Sequence, residues 1–371
     1  MRDWVVVRTS GAPRRIGIEH GRAAADLVKS NLDLYFRRFA AEWGLSRDVV
    51  LERAQAYAEV IRRSDPAYAE MVEGVAEGSG QSSLDVYALN VRYEIMYSEY
   101  ARMGKLRETA PSPDGCTAVG LLPDRTSEGR LLMAQNWDWI PGVHPILLQV
   151  RPGDGPEVLA FTEAGIVGPK IGVNDRGIGL LINGLVSNAD AWDRLGLPFH
   201  VRCWRILTST TFGDARRHAL DGRGSCSANF MIGQTVNGVT HLADFETSPR
   251  GAVELLPRGG ALVHANHFLR GEEQGIQEPL LSERPSTLQR HGRMEHLLGG
   301  TVVNTDVLKG FLRDHTGRPN SICRHPDESL PPSEHYETVV SVVLDPQERA
   351  IHVAHGNPCR SEYRTVTLRL S

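Results

Sequence analysis

Apolar and polar positions alternate in two different rhythms along this chain, and the rhythm changes near residue 110. Before that point the apolar residues recur every three to four positions, which is the spacing of one helical face. His20 to Phe39 carries this rhythm through Ala24, Leu27, Val28, Leu32, Tyr35 and Phe36. A second helix is expected over Arg47 to Arg62, with Ser46 as N-cap. Pro66 to Gly78 reads as a third, closed by its glycine, and Ser83 opens a fourth with Leu84, Tyr87, Ala88 and Val91 on one face. Met1 to Arg8 looks like a leading strand. Met103 to Pro113 is polar and runs into Pro111-Ser112-Pro113-Asp114-Gly115, which is turn and linker chemistry.

From Cys116 onward the chain reads as short apolar runs separated by turns. Cys116–Leu122, Leu131–Gln135, Ile146–Arg151, Val158–Thr162, Ile171–Asn174 and Gly179–Asn183 are expected strands, with Asn174-Asp175-Arg176-Gly177 as one of the turns. Helices follow from Pro198, a good first helical residue, and over Phe212–Leu220. Asn229–Ile232, Val239–Asp244, Ala252–Leu256 and Ala261–Ala265 return to strand. Helices near Gln289–Leu298 and Thr305–Asp314 come next, and Thr338–Leu344, Ala350–Ala354 and Thr365–Leu370 close the chain as strands. Strands, then helices, then strands point to sheets packed face to face with helices outside.

The 371 residues suffice for one large domain or two ordinary ones, and 41% hydrophobic with 23% charged is an ordinary globular balance. The net charge of −4 comes with no basic arm and no acidic tail, so nothing favours nucleic acid. The N-terminus lacks the apolar core of a signal peptide, and no apolar run is long enough to span a bilayer. The five cysteines (116, 203, 226, 323, 359) are odd in number and lack C-x-x-C spacing. That argues against a disulfide framework or a zinc knuckle, and for a reducing, cytoplasmic setting.

The chemistry gathers at Asp114-Gly115-Cys116-Thr117, where a cysteine directly follows a glycine at the start of the strand-rich half. Attack of the thiol on the preceding carbonyl, an N-to-S acyl shift, would give a thioester, and its hydrolysis would make Cys116 a chain terminus. Its α-amine, with a pKa of about 8, could then take the proton of its own thiol. For an arbitrary cysteine, burial as a small apolar residue is the commoner fate. Asp138, in Gln135-Asn136-Trp137-Asp138, follows at a spacing that fits a strand, a turn and a returning strand, which would bring it beside Cys116. On its own that cluster also reads as a strand end with turn residues. His264 and His267 have H-x-x-H spacing, but on a strand and turn they should point apart and hold no metal. Gly177-Ile178-Gly179 lacks the third glycine of a dinucleotide loop, and Gly165 to Lys170 lacks the spacing of a phosphate loop. Cys203 and Cys323 read as packing, and Cys226 and Cys359 receive no role.

Taken in order, Asp114-Gly115-Cys116-Thr117, Gln135-Asn136-Trp137-Asp138, Ala265-Asn266-His267-Phe268 and Ser321-Ile322-Cys323-Arg324 resemble the isopenicillin-N acyltransferase family of cysteine N-terminal-nucleophile (Ntn) hydrolases. Glu73 to Gly78, Ala88 to Glu94, Thr162 to Gly168, Gly196-Leu197-Pro198 and Arg290 to Glu295 extend the resemblance over nearly the whole chain. The resemblance implies an α+β fold, a four-layer αββα sandwich with a helical N-terminal segment. It implies self-cleavage between Gly115 and Cys116, giving a segment 1–115 that stays with a catalytic segment 116–371. It makes Cys116 the nucleophile, Asp138 the acid near the new amine, Asn266 an oxyanion donor, and Arg324 a cation near the nucleophile. Asn183 would supply a second oxyanion donor through its backbone. The substrates implied are a small-molecule acyl donor, with acyl-CoA or an amide admissible, and an amine or water as acceptor. No cofactor and no metal are expected. A non-catalytic, uncleaved binding protein of the same fold is the alternative.

Overall fold

The computed structural model describes residues 4–106, 115–153, 155–220, 224–279, 281 and 285–368. Of the linker expected from Met103 to Gly115, residues 107–114 lie outside them, as do the last residues of the final strand, while Met103 to Leu106 are not linker but the end of a helix. The chain opens with strand β1 (Val6–Gly11) and six helices: α1 (Pro13–Ala23), α2 (Ala25–Trp43), α3 (Arg47–Ser64), α4 (Pro66–Ser79), α5 (Ser83–Asn90) and α6 (Arg92–Leu106). Strands β2 (Cys116–Leu121), β3 (Leu132–Trp139), β4 (Pro145–Pro152), β5 (Val158–Glu163), β6 (Ile171–Asn174) and β7 (Gly179–Gly184) follow. Helices α7 (Phe199–Leu207) and α8 (Phe212–Leu220) precede β8 (Ala228–Val236), β9 (Val239–Ser248), β10 (Gly251–Leu255) and β11 (Ala261–His264). After α9 (Pro285–Leu298) and α10 (Thr305–Leu312) come β12 (Glu337–Asp345), β13 (Ala350–His355) and β14 (Arg364–Thr367).

The strands form two sheets, ordered β1-β4-β5-β6-β7-β8-β9-β10 and β11-β2-β3-β12-β13-β14. Among these strands only the β1–β4 pairing is parallel, because β1 enters from the helical N-terminal segment rather than from a hairpin. The sheets pack face to face. A Cβ on Gly120 of β2 would lie 2.9 Å from Leu242 of β9, and one on Gly179 of β7 would lie 2.8 Å from Met133 of β3. Helices α7 and α8 cover the outer face of the first sheet, and α9 and α10 that of the second. Met294, Leu298, Leu308 and Leu312 of the latter pair bury against Val119, Leu121 and Leu132. The layers are therefore αββα, the α+β sandwich expected.

The N-terminal segment is not a separate body. Its buried residues belong to the same apolar cluster as those of both sheets. Ser46 caps α3 as expected, its side chain accepting from the Val49 N–H at 3.3 Å. Other details differ. The expected His20–Phe39 helix is two helices, α1 and α2, parted at Ala24 (φ −128°, ψ 23°). Both face one core, so the apolar rhythm runs on through the break. Helix α1 starts seven residues before the expected point, because its buried face is Ile16, Gly17, His20 and Gly21, and glycine carries no hydrophobic signal. Those glycines permit a very close crossing: a Cβ on Gly17 would lie 2.1 Å from the Met71 carbonyl of α4. Gly78, expected to end the third helix, is used in the same crossing, and α4 is closed by Gly80 in the left-handed region (φ 69°). Pro198 caps α7 rather than opening it. Helix α6 has no counterpart among the expected elements, because nearly all its residues are buried and no one-sided rhythm marks it.

Candidate active site

The returning strand does bring the two halves of the motif together. In the β2–β3 hairpin Cys116 lies opposite Trp137, and the N–H of Asp138 donates to the carbonyl of Gly115 at 3.0 Å. This approach explains the glycine. A Cβ at position 115 would sit 2.5 Å from the Asp138 carbonyl oxygen, so the requirement is space.

Asn266, just beyond β11, closes the other side. Its Oδ1 accepts from the N–H of Gly115 at 3.1 Å and of Cys116 at 2.6 Å. Its Nδ2 donates to the Gly184 carbonyl at the end of β7 at 3.0 Å, and its N–H donates to Thr287 Oγ1 at 2.7 Å. The side-chain oxygen also accepts from Arg290 at 3.1 Å, so three donors fix which end of the amide is oxygen. Arg290, fully buried on α9, donates to the Cys116 carbonyl and, at 2.8 Å, to Thr117 Oγ1. The peptide groups on both sides of the Gly115–Cys116 bond are thus held by fixed partners.

Cys116 is buried, and burial pushes its thiol up to about 12, with the nearby Asp138 carboxylate adding to the rise and Arg290 opposing it. The resting sulfur is a thiol. Any attack needs a base at hand, which is the role expected of the amine of a newly exposed Cys116. Asp138 Oδ1 accepts from Thr338 Oγ1 at 2.6 Å, a contact supplied by β12.

A narrow cavity opens on Cys116. Its wall includes Trp137, Trp139 and Phe199, with Tyr93 and Tyr97 from α6. Tyr93 stacks between Tyr97 and Phe199, with ring centroids 3.8 and 4.2 Å apart. Arg92 and Lys170 complete the wall. Both cations bind the fully buried carboxylate of Glu163, which also accepts from Tyr35. Burial alone would raise Glu163, but Arg92 and Lys170 hold it down to about 2. Burial lowers the Lys170 ammonium to about 8 despite Glu163.

Of the site residues expected from sequence, the structure gathers Cys116, Asp138 and Asn266 at one point. Arg324 is joined to Asp138 through Thr338 Oγ1. Its backbone N–H donates to Thr338 Oγ1 at 2.9 Å, and its guanidinium lies 5.7 Å from the Tyr336 ring centroid. Among the described residues the guanidinium touching residue 116 is that of Arg290, which stands in one of the resembling motifs with no role assigned to it. Asn183 pairs with Asn229 across β7 and β8, and its side-chain oxygen accepts from Asn229 at 3.3 Å. The cavity is lined instead by its neighbours Ile182 and Gly184. His264 and His267 do not point apart: their rings lie nearly parallel, 6.5 Å between centroids. Both ring nitrogens of His264 face acceptors, Glu246 Oε1 at 2.9 Å and the Ala265 carbonyl at 2.8 Å, so it holds two protons and no lone pair for a metal. No helix among the described residues is long and apolar enough to cross a membrane.

The model of the family described as acyl-coenzyme A:6-aminopenicillanic acid acyl-transferase matches residues 125–360. The acyl-coenzyme A:6-aminopenicillanic-acid-acyltransferase 40 kDa form of Emericella nidulans is 28% identical over 356 residues, covering 95% of this chain and 92% of that one. Among solved structures, a mutant of the conjugated bile acid hydrolase from Clostridium perfringens aligns with a TM-score of 0.39 at 10% identity, over 68% of this chain and 97% of that one. Penicillin V acylase from Agrobacterium tumefaciens gives a TM-score of 0.36 at 10% identity, over 65% and 83%.

Proposed function

The chain belongs to the acyl-coenzyme A:6-aminopenicillanic acid acyl-transferase family, and on that premise we propose that it is a self-processing cysteine Ntn enzyme of acyl transfer. In the first reaction Cys116 Sγ attacks the Gly115 carbonyl carbon. The negative charge develops on the Gly115 oxygen, where the Asp138 N–H already points. The C–N bond breaks as the Cys116 nitrogen takes the thiol proton, leaving a thioester. Water then cleaves the thioester to a Gly115 carboxylate and a free Cys116.

In the second reaction the freed amine takes the thiol proton, and the thiolate attacks the carbonyl of an amide or thioester substrate. Asn266, whose side-chain amide stands beside Gly184 in the cavity wall, serves as oxyanion donor through Nδ2, a contribution of about 3–4 kcal/mol per donor. The amine returns its proton to the leaving group, and the acyl-Cys116 passes to an amine or to water. Substrates are a small-molecule acyl donor, with acyl-CoA among the candidates, and an amine or water acceptor. The aromatic wall suits an apolar acyl group, and the five free cysteines suit a reducing, cytoplasmic setting. The observation that carries this reading is the grip of Asn266 Oδ1 on the Gly115 N–H and on the N–H of Cys116, whose nitrogen belongs to the bond to be cut.

Intact-mass measurement of wild type and Cys116→Ala tests it. Two fragments parting at 115/116 are expected from the first and a single chain from the second. Wild type then goes into a screen of N-acyl amides and acyl thioesters, with and without amine acceptors. A wild type that stays whole on long incubation would favour the uncleaved binding protein, and undiminished turnover by Cys116→Ala would remove Cys116 from the chemistry.

A further inference from the structure

Two histidines and two cysteines that the active site does not use converge behind it. His315 follows α10, Cys323 and His325 flank Arg324 in the loop before β12, and Cys359 sits in the turn between β13 and β14. One ligand atom from each lies within 4.8 Å of all the others. Cys359 Sγ is 3.3 Å from His325 Nε2, which is 3.3 Å from His315 Nε2 and 3.7 Å from Cys323 Sγ. Around a tetrahedral zinc ion, with Zn–S about 2.3 Å and Zn–N about 2.0–2.1 Å, the edges between ligand atoms run from roughly 3.3 to 3.8 Å. These three separations fall in that range. Hydrogen bonding gives a poor account of the group, since two imidazole nitrogens facing each other and two sulfurs offer few protons and only weak acceptors.

The segments are also pinned to one another independently of the four side chains. The Cys323 N–H donates to the Asp314 carbonyl at 2.9 Å, and Arg313 Nε donates to the Pro358 carbonyl at 2.9 Å. Asn357 Nδ2 donates to the Arg324 carbonyl at 2.5 Å. Cys323 is buried, while His315, His325 and Cys359 keep partial exposure, which leaves an entry path for an ion.

We propose that His315, Cys323, His325 and Cys359 bind one zinc ion, with the two cysteines as thiolates and the two histidines neutral. Two thiolates balance the charge of Zn²⁺, and binding releases their two protons to solvent. Four protein ligands leave no open position, so the ion is structural. It staples three chain segments and fixes residue 324 between two of its ligands. The Arg324 N–H donates to Thr338 Oγ1, the Arg324 carbonyl accepts from the Thr338 N–H at 3.0 Å, and Thr338 Oγ1 donates to Asp138. The metal thereby sets the position of the acid beside Cys116 from the far side of the sheet.

The test uses the full-length protein purified under reducing conditions from zinc-supplemented cells. Its readouts are metal content, thermal stability, and the absorption spectrum after exchange with Co(II). One zinc per chain is expected in wild type and in a Cys203→Ala control, with loss from Cys359→Ser and His315→Ala. A chelator should lower the melting temperature of wild type and leave the two variants unchanged. The Co(II) form should show the strong visible bands of a tetrahedral site with thiolate charge transfer. Substoichiometric zinc in wild type, zinc retained by both variants, or a Cys323–Cys359 disulfide in the isolated protein would each overturn the proposal. If neither variant folds, Co(II) titration of chelator-treated wild type decides, and a featureless spectrum counts against the site. None of these readouts requires Cys116 chemistry, so failure here is distinct from failure of the acyl-transfer reading.

Discussion

Arg290 donates from α9 to the carbonyl oxygen of Cys116, with its guanidinium fully buried. The same group reaches Thr117 Oγ1 and Asn266 Oδ1, so one planar fork fixes the nucleophile's backbone and the amide opposite it. A lysine would keep the charge and lose the fork. Arg290→Lys should slow the appearance of the two fragments by roughly 10- to 100-fold, the loss of one or two charge-assisted hydrogen bonds worth about 1.5–3 kcal/mol. An intact-mass time course measures it. Processing at the wild-type rate would show that the fork has no part in the cleavage.

Glu163 is the shared counter-ion of two buried cations, Arg92 and Lys170. Glu163→Gln preserves the shape and leaves both charges without their counter-ion. The expected loss is about 3–5 kcal/mol of stability, the usual result of breaking a buried ion pair from one side. Urea unfolding in the Cys116→Ala background, where the chain is expected to stay whole, gives the clean comparison. A change under about 1 kcal/mol would mean that the site rearranges or admits water.

His264 gives a prediction with a definite sign. Burial alone would lower the imidazole, but Asp244 and Glu246 raise it to about 9, above its ordinary value of 6.5. Asp244, itself raised to about 6 by burial, and His291 also face this group. A raised histidine contributes stability that is fully present below pH 6.5 and is lost as pH climbs through about 9. The advantage of wild type over His264→Gln should therefore be on the order of 3 kcal/mol near pH 6 and vanish above about pH 9.5. Chemical denaturation at the two pH values checks it, and an advantage that grows with pH would contradict the assignment.

The layers of the sandwich were legible because most strands are short apolar runs bounded by Gly, Asn and Asp turns, and because Ser46 is a strong cap. The meeting of Cys116 with Asp138 was legible too, since a hairpin is a local structure whose register follows from spacing. Helices α1 and α6 were not legible. The first turns glycines as well as Ile16 to its neighbour, so few apolar residues mark its buried side, and nearly all of the second is buried, so no one-sided rhythm marks it. Arg290 was hidden for a different reason. Its partner is a backbone carbonyl reached across 174 positions of sequence, and no side-chain pattern records a backbone contact. The His315, Cys323, His325 and Cys359 group escaped because a turn beyond β13 supplies the fourth member, while the usual metal spacings search for pairs close in sequence.

The Arg92–Glu163 contact lies across the proposed scissile bond in sequence, with the guanidinium on one side of residue 115 and the carboxylate on the other. A chain parted there would be an obligate heterodimer whose interface is locked by a solvent-free ion pair and by β1 lying alongside β4. The larger fragment made alone would expose the ragged edge of its first sheet and carry an acid and an ammonium with no guanidinium to complete them. Ribosomal synthesis as one polypeptide then serves as an intramolecular chaperone, and separate expression of the two fragments would not be its equivalent.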